Sequence, residues 1–455
     1  MRFDRFTRLL LAIVLVALGV RVAYVLWGKG GECVIRTATI DVRSPTQCPG
    51  AGGRPNDAVY YNAAANHLAR GGGFTDPFGS TQPAADHPPL TVVVLAPVSW
   101  VGDHVRGVFN DPTNLLLHRL TMAGIGASVV AGIGLIGRRL GRDRIGLVAA
   151  TIAAVYPGLW INDALIFAET VTNFTVVVAL WAALRARRRP TMSRLAVLGA
   201  LGALCGLARA ELLLFVPLLA LIVARWRTPG AIRRAGIVAG VAGVVLAPWV
   251  LYNTVRFEEP TIVSTNDGLA LAASNCDPVY YGSGIGLTSY DSAPPDAPGA
   301  VKASGRYCVE DPPPPGDQSE VSRAYRSRAV RYVRSHWSRV PLVVAARVGR
   351  VWNVYRPFDM VWYNEGEDRE PWATRAAIWT FYPIAGAAIA GAVSLRRRDR
   401  RTLAVLLVPL VTVTLGAALT YGQARYRAAA EPAIVLLAAL AIAREAEPGR
   451  TPPVR

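Results

Sequence analysis

The chain is poor in charge. Only 18% of its 455 residues are Asp, Glu, Lys or Arg, against 52% hydrophobic, and the mean hydropathy is +0.30. Such a chain cannot clothe a soluble surface, which excludes an ordinary soluble enzyme; disorder, a collagen-like chain and a small disulfide scaffold are excluded with it. Lysine is almost missing, with Lys29 and Lys302 the exceptions, so the basic excess is carried by arginine. The sequence has no Walker pattern, no nucleophile elbow and no convincing zinc spacing. Gly282, Gly284 and Gly286 lack the strand and helix context of a nucleotide loop.

What is present is a series of apolar runs punctuated by arginine. A net charge of +18 would suit nucleic acid if it were spread over a surface, but the arginines cluster just outside the runs: Arg2, Arg5 and Arg8; Arg138 and Arg139; Arg185, Arg187 and Arg188; Arg225 and Arg227; Arg396, Arg397 and Arg398. This is the positive-inside pattern, which orients a membrane protein, and no nucleic-acid partner is expected. One bilayer crossing takes roughly 20 residues of helix. The runs 9–27, 115–136, 145–160, 165–184, 195–208, 212–224, 237–251, 378–395, 403–419 and 434–443 predict an all-α polytopic membrane protein of about ten transmembrane helices. Two long extracytoplasmic loops carry juxtamembrane helices.

The expected segments are therefore a first transmembrane helix (1–27), a first exterior loop (28–114), helices two to seven (115–251), a second exterior loop with a basic amphipathic helix (252–371), helices eight to ten (372–443) and a cytoplasmic tail (444–455). The first run is read as an uncleaved helix, and both termini fall on the cytoplasmic side of the plasma membrane. Cysteine tests this map. Cys33 and Cys48 share the first exterior loop and Cys276 and Cys308 the second, where disulfides are permitted, so the pairs Cys33 with Cys48 and Cys276 with Cys308 are predicted; free thiols are the alternative.

Residues able to do chemistry gather at the exterior ends. Residues 57–68 read as a short helix stopped by Gly71, Gly72 and Gly73, with Asp57, Tyr61, Ala64 and Leu68 on one face. Asp57 is either a plain N-cap or a functional carboxylate. Asp86 and His87 follow it, before an apolar stretch (90–101) read as lying along the interface. Asn162, Asp163 and Glu169 lie at the outer ends of the third and fourth spans. Ionisable groups at that depth are costly and face the bundle interior or water, so Glu169 is either functional or a partner for Arg209, which Glu211 can also neutralise. Arg425, Tyr426 and Arg427 break the charge rule at the outer end of the ninth span. Guanidinium forks there suit a phosphate, and a pair with Glu431 is the alternative. Residues 319–352 read as a basic helix with Val330, Val333, Trp337 and Val340 on its apolar stripe, lying on anionic lipid.

Six short stretches occur in an order that resembles the GT-C superfold of glycosyltransferases, the group of protein O-mannosyltransferases and lipid A aminoarabinose transferases: DAVYYNAAANHLARGGGF (57–74), HPPLTVVVLAP (87–97), FAET (167–170), LARAE (207–211), APWVLYN (247–253) and RYRAAAEP (425–432). The resemblance implies an enzyme that takes a polyprenyl-phosphate-linked sugar from the outer leaflet and transfers it with inversion to an extracytoplasmic glycan, lipid or protein, as a hexosyl- or pentosyltransferase. It implies Asp57 as the catalytic base or a metal-linked carboxylate, with Glu169 or Asp163 assisting. Tyr61, Asp86, His87, Arg209, Glu211, Arg425, Tyr426 and Arg427 are then substrate-binding candidates. Charge on the departing lipid phosphate is stabilised by Arg425 and Arg427, or by a divalent cation held by Asp57 and Glu169. The rival reading is a transporter or flippase of a lipid-linked sugar, although such proteins concentrate polar residues in broken helices near the midplane.

Overall fold

The computed structural model describes residues 4–28, 57–105, 114–226, 228–282, 284–288, 308–309, 313–365, 367 and 369–445. The described residues are helical throughout their regular structure, with one isolated bridge between Thr75 and Pro83. The Cys33 and Cys48 pairing lies outside them.

Six described helices are long and apolar enough to cross a bilayer: Arg5–Trp27, Leu115–Leu140, Ala231–Arg256, Pro371–Arg398, Arg400–Leu419 and Ala424–Ala443. A seventh crossing arises if Asp143–Val155 and Pro157–Asp163, bent by 55° at Tyr156, form one span. The bend has a local cause. Tyr156 precedes a proline, whose ring disfavours the helical region for the residue before it, and Tyr156 is extended, at φ −71° and ψ 114°. Leu90–His104, Met192–Ala208 and Ala210–Ala224 are shorter apolar helices, and Ala168–Arg188 runs almost entirely buried among the others. The chain is a multi-pass membrane protein of all-α architecture.

The helices have charged ends that differ by side. At one end arginines occupy last turns, where they complement the carbonyl end of the helix dipole, as in Arg138 and Arg139, Arg187 and Arg188, and Arg396 to Arg398. They are stitched together there: Arg138 meets Asp4 and Asp143, Arg187 meets Asp399, and Arg225 donates to the Arg187 carbonyl. Asp399 also accepts from the Thr402 amide at 3.0 Å, capping the next helix. Between the ends lies a dry core of Ala, Val, Leu and Ile from the first helix through to Glu431–Glu445. The Pro371–Arg398 helix packs most extensively against Glu431–Glu445.

The basic stretch of the second loop is two helices, Gln318–Ser335 and Val340–Val351, joined by the turn Trp337–Arg339. Pro341 explains the break: without an amide hydrogen it belongs in a first helical turn, so a new helix starts there. The face packed on the protein lies apart from most of the apolar stripe. Val330 and Trp337 are exposed, while Ser319, Ser322, Tyr325 and Ala329 are buried. Small residues are needed because Gly268 of the Asn266–Ala273 helix comes so close that a Cβ there would meet the Ser322 backbone at 2.0 Å. Cys276 is disulfide-bonded to Cys308, with Cα atoms 6.0 Å apart.

Candidate active site

At the end of the bundle opposite the arginine clusters, five chain segments bring charged side chains to one place. Asp57 opens the Asp57–Ala69 helix, where a carboxylate complements the exposed amides of a first turn, and Tyr61 and Ala65 on that helix pack against Val92 and Leu95 of Leu90–His104. Glu169 sits in the first turn of Ala168–Arg188. Arg209, in extended backbone, forms the tip between Met192–Ala208 and the turn Ala210–Leu214. Glu367 and Arg369 come from the link that precedes Pro371–Arg398, and Arg425 from the tight turn Ala424–Ala430.

Arg425 is the hub. Its guanidinium lies 2.6 Å from Asp57 Oδ2 and 3.6 Å from Glu169 Oε1, and it is also bonded to Glu367. Glu169 accepts from Arg209 at 3.1 Å, and Arg209 reaches Glu211 at 2.7 Å while its guanidinium lies 4.3 Å over the Tyr426 ring. Arg369 pairs with Glu367, donates to Asn162 Oδ1 at 3.1 Å and covers Phe167. Glu169, Arg209 and Arg369 are buried, whereas the side chains of Asp57, Glu211 and Glu367 each keep part of their surface exposed.

His87 lies 3.3 Å from Asp57 Oδ1, sandwiched among Tyr60 and Tyr61. Burial pushes the Asp57 carboxyl up, but Arg425, with His87 behind it, pulls it further down, and the group is held well below the usual carboxylate range. A carboxylate in that state is firmly anionic and a weak base.

The remaining candidates lie elsewhere. Asp163 is buried within the bundle, 2.6 Å from Arg21 of the first helix and 2.8 Å from the Thr170 hydroxyl, and shares no bond with the Arg425 group. Asp86 accepts from Gln318 at 2.9 Å and so ties the segment before Leu90 to the Gln318–Ser335 helix. Arg427, only two residues from Arg425, turns away: it pairs with Glu431 at 2.6 Å, donates to the Val351 carbonyl and covers Phe381. Two participants in the site, and Arg21 outside it, escaped the sequence reading. Glu367 and Arg369 stand in a run of mixed charges before a span, which reads as solvated loop; Arg21 did carry a signal, being a cation inside an apolar run.

The carboxylates are arranged around a guanidinium rather than around a metal ion. Among the described residues no group of three or more His, Cys, Asp and Glu side chains is placed to hold one, and Asp57, Glu169 and Glu367 all turn toward Arg425.

No family model matches the chain, and no curated protein matches it. Solved structures do. The chain resembles the archaeal oligosaccharyltransferase AglB from Archaeoglobus fulgidus in complex with an inhibitory peptide and a dolichol-phosphate, at 15% identity and a TM-score of 0.52, over 99% of this chain and 53% of that one. The apo form of the Archaeoglobus fulgidus oligosaccharyltransferase gives 14% and 0.50, over 95% and 50%. ArnT from Cupriavidus metallidurans bound to undecaprenyl phosphate gives 14% and 0.39, over 97% and 78%. The chain spans about half the length of the two oligosaccharyltransferase structures. At identities this low the likeness is one of fold, and the chain has the GT-C fold.

Proposed function

We propose that the chain is an integral membrane glycosyltransferase that moves a sugar from a polyprenyl-phosphate donor to an extracytoplasmic acceptor with inversion. Ten crossings of the plasma membrane, with both termini cytoplasmic, complete the reading. The observation that supports it is the meeting of Asp57 and Arg425, 368 residues apart, at 2.6 Å on the end of the bundle away from the arginine clusters. AglB, of like fold, was solved with a dolichol-phosphate, which agrees with a lipid phosphate as the donor's leaving group.

The residues divide the work. The acceptor hydroxyl is a poor nucleophile, and Asp57 takes its proton as the oxygen bonds to the anomeric carbon. The bond from that carbon to the phosphate oxygen breaks, and the lipid phosphate leaves with the bonding pair. Arg425, with Arg369 beside it, balances the charge that develops. One consequence follows from the ion pairs. When the donor phosphate draws Arg425 away, Asp57 loses the neighbour that depresses its basicity, so donor binding itself prepares the base. Glu169, Arg209 and Glu211 hold Arg425 and Tyr426 in place.

The test is radiolabelled polyprenyl-phosphate sugar with the full chain in reconstituted membranes. Label leaving the lipid for an acceptor is the expected result. Label crossing the bilayer with its phosphate bond intact would instead make the protein a flippase.

A further inference from the structure

The arm made by Gln318–Ser335, the turn Trp337–Arg339 and Val340–Val351 leaves an apolar strip uncovered by the protein. Trp337 at its tip is 74% exposed, and Val330, Pro341 and Leu342 are exposed as well. Large apolar groups gathered in this way mark a surface that something else covers. The strip continues along Val340–Val351 through the exposed Ala345 to Gly349, one turn on, where an added Cβ would stand 2.7 Å from the Cβ of Tyr355. Tyr355 is exposed in its turn. Beyond it the Phe358 ring lies 5.5 Å from that of Trp379, an exposed residue on Pro371–Arg398, which is long and apolar enough to cross a bilayer. The uncovered surface therefore joins the flank of a spanning helix to the tip of the arm, and the cover that suits its whole length is lipid.

Charge selects the lipid. Arg323 and Arg326 are matched on the protein, by Glu259 at 3.0 Å and Asp267 at 2.8 Å. Arg331 and Arg334, a turn apart and nearer the tip, are exposed and pair with no carboxylate among the described residues. An indole at the membrane boundary with guanidiniums beside it is the pattern of an interfacial anchor, in which the ring sits among headgroups and the cations meet phosphate. We propose that the tip of the arm is a seat on the leaflet at the active-site end of the bundle, with Trp337 and Leu342 among the headgroups and Arg331 and Arg334 on the phosphates of anionic phospholipid. A soluble acidic partner would answer the arginines but not the apolar strip that continues to Trp379. The seat has a mechanical consequence. The helix carries the tip about 27 Å from Gln318, whose side chain accepts from the Ala85 amide at 2.9 Å and donates to Asp86 at 2.9 Å, next to His87 and its partner Asp57. Lipid held at one end thus steadies the segment that backs Asp57 at the other.

The experiment places a thiol-reactive fluorophore on Ser338→Cys, an exposed position in the same turn, with the full chain in phosphatidylcholine nanodiscs. Lipids with brominated acyl chains are expected to quench it and aqueous iodide to leave it bright. Brominated phosphatidylglycerol and brominated phosphatidylcholine are then compared at the same small fraction, and phosphatidylglycerol is expected to quench at least about twofold more, an excess that falls as salt is raised. Arg331→Gln with Arg334→Gln should abolish the excess, Arg331→Lys with Arg334→Lys should keep most of it, and Arg323→Gln with Arg326→Gln should leave it unchanged. The salt series on the otherwise unaltered chain carries the same test if the glutamine pair does not fold. Quenching by iodide alone would put the tip in water, as a surface for a soluble partner, and equal quenching by the two lipids would leave it without a preference for anions; either result overturns the proposal. No sugar donor enters the measurement, so its outcome is separate from that of the transferase reading.

Discussion

In the proposed reaction Asp57 is two things in turn, a fixed anion beside Arg425 and then a proton acceptor, and single substitutions separate the roles. Asp57→Asn is expected to lower turnover by roughly a hundred- to ten-thousandfold, the usual contribution of a positioned base, while donor affinity holds or rises because Arg425 is released. Turnover assays paired with lipid-phosphate binding check this, and wild-type turnover would remove Asp57 from the mechanism. Arg425→Ala is expected to weaken lipid-phosphate binding by roughly ten- to a hundredfold, and Arg425→Lys does not restore it, since an ammonium cannot bridge as a planar fork does. The pH behaviour has a definite sign. With the Asp57 carboxyl held below its ordinary value of 3.8, the stability from its pairing is complete above that value and lost as pH falls through the folded value. With the neighbouring imidazole removed by His87→Gln, the difference in thermal midpoint made by Asp57→Asn should therefore stay constant from about pH 5 to 8. A difference that grew across that window would mean the carboxyl titrates there. At this scale Asp57, Glu169 and Arg425 were legible because an ionised group at the edge of an apolar run is expensive and so conspicuous. Glu367 and Arg369 were not, because a mixed-charge run before a span looks the same whether water or a site neutralises it.

Among the helices, Pro371–Arg398 and Glu431–Glu445 approach one another very closely. A Cβ added at Gly391 would stand 1.9 Å from the Leu437 carbonyl oxygen, whereas one at Gly386 meets nothing within 4 Å. Gly391→Val is thus expected to force the pair apart at a cost of about 1–3 kcal/mol. Thermal unfolding in detergent should show a lowered midpoint for Gly391→Val and little change for Gly386→Val; equal effects at the two positions would contradict the packing. Element boundaries were readable where the signal is local. The glycine run after Ala69 and the arginines of last turns mark helix ends through their own backbone chemistry. The packed face of Gln318–Ser335 was not readable in this way. Its serines and alanine are buried because a neighbouring helix with a glycine comes near, which no hydrophobic pattern marks.

For the molecule as a whole, sidedness is the property to test. The disulfide between Cys276 and Cys308 closes a segment of 32 residues, which in the chain-entropy picture contributes about 3–4 kcal/mol. Reduction, or Cys276→Ser, should lower the thermal midpoint, and non-reducing peptide mapping should recover the linked pair from protein made in cells. Recovery of free thiols would argue against an extracytoplasmic second loop. From the sequence alone came the class of molecule and its apolar helical segments, because these follow from runs of bilayer length, and an expected orientation, because arginines resist crossing. Only tertiary structure decided the company each charge keeps. It joined Asp57 to Arg425 across 368 positions, sent Asp163 to Arg21 in the bundle interior, and parted Arg427 from Arg425 although they are near neighbours in the chain. Charge and hydropathy act through a residue's own transfer energy and can be read one position at a time. Partnership depends on which helices pack side by side and how each is rotated, and that is settled by the whole core at once.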